Sequence, residues 1–196
     1  MTANHNILWA ESGLNNGNIP YGALVTWDPA NKGTGVALTG ANLIATITET
    51  GGDAYAVKAT AIMPTGTSVF EVTIGAFVGS SPDAAVGMAN STFAVNHANM
   101  GGNTNNNCYD SATGHVYLNG SSQGNVITWT TGDIIGVKND TVAGKVSFFK
   151  NGVITGIAYS NGLGNSLYAC VSLGGTGNES GVFTVNFGAT TFAYTY

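Results

Sequence analysis

Apolar and polar side chains alternate with a period of two along most of the chain, and a period near 3.6 hardly occurs. Phe70, Val72, Ile74, Ala76 and Val78 would line one face of a strand, with Glu71, Thr73 and Gly75 on the other. Phe183, Val185 and Phe187 alternate with Thr184, Asn186 and Gly188 in the same way. Further strand-like runs cover 43–48, 55–62, 126–130, 134–138 and 146–150. Turn residues separate them: Asp28-Pro29, Gly51-Gly52, Pro64-Thr65-Gly66, Asn119-Gly120, Thr131-Gly132-Asp133 and Asn151-Gly152. Short strands punctuated this often predict an all-β, antiparallel, two-sheet β-sandwich of jelly-roll-like character. Asn151-Gly152 predicts a two-residue type I′ hairpin, which needs positive φ twice. The hairpin would carry Val146 and Phe148 inward, opposite Ile135 and Val137.

Two segments break the pattern. Residues 1–22 alternate little and mix apolar side chains with asparagines, so they are expected to form an extended arm ahead of a sandwich over 23–196. Such an arm must rest on something to be ordered, either its own sandwich or a neighbouring subunit, and Ile7, Leu8 and Trp9 are its anchoring group. Asn96–Asn107 is a polar loop longer than a turn requires, and loops of this kind are functional or mobile.

Composition narrows the partners. Of 196 residues, 43% are hydrophobic, enough for a core, while only 8% are charged against about a quarter in ordinary domains. All five basic residues are lysines, arginine is absent and the net charge is −5, which argues against a nucleic-acid partner. The N-terminus lacks the basic and apolar regions of a signal peptide, and no window approaches the ~20 apolar residues that span a bilayer, so no membrane insertion is expected. Cys108 and Cys170 are expected to be unbridged, buried or half-buried thiols.

Motifs that could carry chemistry lack their context. Gly120-Ser121-Ser122-Gln123-Gly124 matches a nucleophile elbow, but the residues after it read as a strand where the elbow needs a helix. His5, His97 and His115 have no metal-ligand spacing, the ten carboxylates form no calcium-loop pattern, and Gly174–Gly177 lacks the lysine and helix of a phosphate loop. The four Asn-X-Ser/Thr sequons are what chance gives in a chain this rich in Asn, Ser and Thr. No catalytic residue, metal or cofactor is expected.

Several blocks of the second half go together: Gly87-Met88-Ala89, Cys108-Tyr109-Asp110, Thr131–Val137, Gly144–Val153, Leu167–Gly174 and Val185–Gly188. With the early stretches 26–33 and 69–74, these blocks resemble the SPRY domain family, and in particular stand-alone SPRY-like modules of phage virion proteins. The resemblance implies a bent two-sheet sandwich that works as a protein-interaction module without enzyme activity, binding through loops at one end. On that basis the binding residues are expected to be Asn103, Asn105, Asn106, Asn107, Tyr109, Gly174 and Thr176. The expected role is a structural or binding protein on the virion surface, decorating the capsid or forming part of a tail fibre. Its partners would be other virion proteins, copies of itself, or a host-surface receptor or glycan. The alternative is a lectin-like adhesin, with Tyr109, Tyr117 and Trp129 offering ring surfaces, although Trp129 reads more simply as a core residue.

Overall fold

The computed structural model describes residues 19–20, 24–156 and 158–196, the first pair by backbone alone. The expected anchoring group Ile7, Leu8 and Trp9 lies outside the described residues. Among the described residues there is no helix. The strands are β1 (Ile19–Pro20), β2 (Trp27–Lys32), β3 (Val36–Thr39), β4 (Ile44–Thr48), β5 (Tyr55–Ile62), β6 (Thr67–Val78), β7 (Asp83–Ala89) and β8 (Asn106–Asp110). They continue as β9 (His115–Leu118), β10 (Ser121–Asn125), β11 (Ile134–Asp140), β12 (Lys145–Lys150), β13 (Val153–Ile154), β14 (Tyr159–Ser160), β15 (Tyr168–Gly174) and β16 (Ser180–Asn186).

Two sheets form, as the alternation predicts. Sheet A runs β13-β12-β11-β6-β16-β4-β3, with β14 also on β12, and sheet B runs β10-β9-β8-β7-β15-β5-β2. All pairings are antiparallel except that of β1, which lies parallel to β6 with Ile19 opposite Ser68. Strand β16 covers β6 only from Glu71 onward, and β1 takes the edge left open beyond it. The described part of the arm therefore rests on its own sandwich.

Between the sheets lies one core, built from the alternate residues the sequence marks. Trp27 meets Phe187 edge-on at 5.3 Å, and Tyr109 packs against Trp129 and Phe148 at 6.1 and 6.2 Å. Ile135, Val137, Val146 and Phe148 all point inward. Asn151 and Gly152 have φ of 51° and 77°, the type I′ turn.

Three local expectations fail, each for a stated reason. Ala76 and Val78 face solvent rather than the core, because β6 carries a bulge: Gly75 and Ala76 together oppose the single residue Val182. The alternation slips by one there, and Phe77 turns inward against Trp129 and Phe183 instead. Residues 126–130 form no strand, since their backbone bonds outside any ladder: Val126 N to Gly114 O, Ile127 O from the Tyr109 hydroxyl, Thr128 O from Lys150 Nζ and Thr130 N to Asp133 Oδ2. Asp28-Pro29 turns within β2 rather than between strands, its Asp28 Oδ1 accepting the Ala30 N–H at 2.8 Å.

The asparagine-rich connection is a flap. After β7 the chain crosses the outer face of sheet B and returns to start β8. Phe93, Ala98 and Met100 close there on Ala56, Ala85, Ala89, Cys108 and Cys170, forming a second small core. Lys58, 2% exposed, holds the crossing: its ammonium donates to the carbonyls of Asn90, Ser91 and Phe93 at 3.4, 3.2 and 3.0 Å. Both cysteines are free and buried on this face. They flank Gly87 on successive strands, so their Cα atoms are about 9.5 Å apart, too far to bridge. Burial pushes the Cys170 thiol up to about 12, partly offset by the Lys58 charge.

The outer face of sheet A is covered by the C-terminal segment. Glu71, 4% exposed, accepts the Ala193 and Tyr194 N–H groups at 2.9 and 3.1 Å and the Tyr196 hydroxyl at 2.6 Å. Tyr196 lies over Gly136 and edge-on to Phe149 at 4.9 Å.

Two substitutions test this architecture. Gly152→Val should cost about 2 kcal/mol in urea unfolding, because a branched side chain is strained at this φ and its Cβ would sit 2.6 Å from the Tyr194 ring. Lys58→Ala should raise amide hydrogen exchange across 90–100 and cost about 2 kcal/mol by stranding three carbonyls. Unchanged exchange there would show that the flap is held by its apolar contacts alone.

Candidate functional site

One end of the sandwich gathers the turns between β4 and β5, β6 and β7, β8 and β9, and β15 and β16. It also gathers carboxylates, because Glu49, Asp53, Asp83, Asp110 and Glu179 all lie at these strand ends. Asp83 opens β7 and Asp110 closes β8. With Ala85 opposite Asp110, the two acids are diagonal neighbours on the outer face of sheet B. They stand in a cleft of about 400 Å³ walled by Asn99 of the flap, Thr113, Tyr117 and the backbone of Gly174, Gly175 and Thr176. No lysine lines it.

Hydrogen bonds orient the floor of the cleft. Met100 N–H donates to Ser172 Oγ at 3.0 Å, and the Ser172 hydroxyl donates to Asn99 Oδ1 at 2.7 Å. That leaves the Asn99 amide to donate to Asp83 Oδ2 at 2.8 Å. Asp110 Oδ1 accepts the Thr113 N–H at 2.8 Å and its hydroxyl at 2.6 Å. The second Asp83 oxygen, Oδ1, is buried and meets no protein N–H or hydroxyl donor. Burial raises the Asp83 carboxyl to about 8, reinforced by the hydrogen bond to Asp110 and by its charge, and opposed by the Asn99 amide. Asp83 therefore keeps its proton at neutral pH.

A second acid pair lies behind the glycine wall. Glu49 and Glu179 are both fully buried, and the Glu179 N–H donates to Glu49 Oε2 at 3.2 Å. The Glu49 carboxyl and the Gly177 and Thr176 N–H groups hold Glu179 below its ordinary value despite burial. A Cβ on Gly175 would lie 2.5 Å from Glu179 Oε2, so only glycine lets the wall pass this close. On the rim, His97 Nδ1 contacts Asp53 Oδ1 at 2.7 Å, and this contact is the main reason Asp53 titrates low.

The structure divides the residues that the sequence nominated. Gly174 and Thr176 line the cleft. Asn103, Asn105, Asn106 and Asn107 sit where the flap returns, at the opposite end of sheet B, with Asn106 opposite Ala89 and Asn107 opposite Met88. Asn106 and Asn107 are fully buried. Asn106 accepts the Gly101 N–H at 3.2 Å and donates to Asn103 O at 2.7 Å, and Asn107 donates to Asn161 O at 2.6 Å. Asn103 is exposed, but its amide donates to Asn99 O at 2.7 Å. Asn105 has φ of 70° and caps the turn through Asn119. Tyr109 is fully buried in the inter-sheet core, its hydroxyl given to Ile127 O. Its pattern position already puts it on the inner face, which is why it cannot meet a partner. Trp129 is likewise core, 3% exposed, while Tyr117 remains half-buried at the cleft. Sequence reasoning passed over Asp83 and Asp110 as site residues and reached Asn99 only as part of the 96–107 loop. The usable signal was that two carboxylates mark a strand's start and a strand's end on outward positions.

The arrangement can hold a proton and attract a cation. It does not resemble a glycosidase pair, whose carboxyls stand about 5–9.5 Å apart, because these two share a hydrogen bond. Ser122 of the elbow-like motif lies on the exposed edge strand β10, with no helix after it.

Asp83 binds a proton more tightly folded than unfolded. Its contribution to stability is complete below about pH 4 and is lost as pH rises towards 8. Asp110, Tyr117 and Cys108 are the titratable groups near it. Melting temperature measured against pH should fall more steeply over that window for the native chain than for Asp83→Asn, whose amide cannot ionise. Parallel profiles would show that the carboxyl is solvated.

Comparison with known proteins agrees with this architecture. A family model described as SPRY domain matches residues 67–189. The crystal structure of the SPRY domain of human HERC1 superposes with a TM-score of 0.67 at 19% identity, covering 81% of this chain and 96% of that one. A human SPRY domain crystal structure gives 0.64 at 21% identity, with 81% and 98% covered. The TRIM65 PSpry domain gives 0.60 at 15% identity, with 83% and 91% covered. Among curated proteins none matches the sequence. The match runs from β6 through β16, the strands that build both sheets around the acidic end, and the chain belongs to the SPRY domain family.

Proposed function

We propose that this chain is a non-enzymatic binding module whose protein partner docks at the acidic end of the sandwich. The observation that carries this reading is the open cleft at that end, with a buried carboxyl oxygen on its floor that meets no protein N–H or hydroxyl donor. Buried polar atoms are normally satisfied, and an unsatisfied one in a cleft marks where a ligand group belongs. SPRY domains generally serve as protein-interaction modules, which supports the class of partner. The finer reading places the chain on a phage virion surface, in capsid decoration or a tail fibre. It draws on the arginine-free, charge-poor composition and on the N-terminal arm. A second reading, a lectin-like adhesin for host-surface glycans, draws on the Tyr117 ring beside the amide and hydroxyl groups of the cleft.

Selection against a library of random displayed peptides tests the reading. A shared motif should emerge, and its synthetic peptide should shift amide resonances at Gly174, Gly175 and Thr176. Failure to enrich any motif while a glycan array yields ligands would replace the module reading with the lectin one. Detection of the chain in purified particles, or its absence from them, decides the virion assignment separately.

A further inference from the structure

We infer that the acidic cleft takes an arginine side chain of the partner, whose guanidinium seats against the Asp83 and Asp110 carboxyls. The inference rests on the module reading above and names the chemistry that its site recognises.

Three features point to a cation. First, the cleft joins two carboxyls, one on a residue only 4% exposed, with no basic side chain among the described residues of its wall. Secondly, Asp83 Oδ1 is buried and meets no N–H or hydroxyl donor of the protein. A ligand N–H can supply the donor that the protein does not. Thirdly, the fully buried Glu179 carboxylate stands directly behind Gly175, one residue thick from the cleft, and its Oε1 also lacks a donor. Its negative charge is little screened there and adds to the field in the cleft.

Guanidinium suits the geometry better than ammonium. Two carboxyls side by side on neighbouring strands match its planar fork of N–H donors, whereas an ammonium acts as a point charge. The half-buried Tyr117 ring in the wall offers a face on which the plane can stack. This chain contains no arginine, so a second copy of it cannot supply the group.

The balance is simple. One proton leaves the carboxyl pair as one guanidinium enters, and no covalent bond is made. Asp110, Tyr117 and Cys108 are the titratable groups facing Asp83, and both Tyr117 and Cys108 are held neutral by upward shifts. The released proton therefore comes from the acid pair.

The test uses small probes on the native protein. N-acetyl-argininamide should shift the amides of Thr113, Gly174, Gly175 and Thr176 with a dissociation constant of about 1 mM, typical for a probe of that size. Calorimetry at pH 7 in two buffers of different ionisation enthalpy should show net proton release. N-acetyl-citrullinamide, the neutral isostere, should bind at least about tenfold more weakly, as should the arginine probe to Asp83→Asn. Equal binding of the two probes, no shift with the arginine probe, or shifts of the same amides by calcium chloride at lower concentration would overturn the inference. Should Asp83→Asn fold poorly, the probe comparison on the native chain decides alone. Peptide selection that yields a motif at this end without arginine would sink the inference and leave the module reading intact. Selection that yields nothing while the arginine probe still binds would count against the module reading and not against the chemistry of the cleft.

Discussion

A single buried cation sets the course of everything outside sheet B. Lys58 projects from the outer face of β5, and nearly all of its surface is removed from water. A lone ammonium there would be expensive, and burial lowers its pKa. It becomes tolerable because three carbonyls of the 90–93 turn converge on it. That convergence starts the flap across the sheet, lays Phe93 and Met100 on the second core, and brings Asn99 to Asp83. The amide that orients the cleft is thus placed by a lysine on another strand, through a chain of backbone contacts.

The same constraint explains the composition of the strands. Sheet B is covered on both faces, so β7, β8 and β15 are buried along almost their whole length, and β7 and β15 read as apolar runs rather than as clean alternation. Small residues are required where the flap presses down, as at Gly87, where a Cβ would meet Asn107 O at 2.0 Å. Sheet A meets its second cover differently. One buried carboxylate, Glu71, collects the donors of the C-terminal segment, which closes over Gly136 and Phe149.

Period-two alternation was enough to recognise two packed sheets, and the Asn-Gly turn and the inward faces of β11, β12 and β16 could be read residue by residue. The bulge in β6 could not, because nothing in Gly75-Ala76-Phe77 marks an extra residue until β16 is laid beside it. The flap misled for a physical reason. Asparagine is equally at home on a wet loop and inside a hydrogen-bonded one, and here Asn106 and Asn107 serve the second purpose. One wall of the cleft was legible through the glycines after β15. The acid pair was not, because Asp83 and Asp110 are distant in sequence and meet only through strand register.

The paired thiols beside Gly87 carry a practical consequence. Neither can reach the other, neither reaches solvent, and burial keeps both protonated, so oxidants and alkylating probes find nothing to attack. The sandwich should form equally well in reducing and oxidising surroundings. It is also a silent background for chemistry: a single cysteine introduced at an exposed rim position such as Thr176 would be the one reactive sulfur in the molecule, ready to carry a spectroscopic label to the mouth of the cleft.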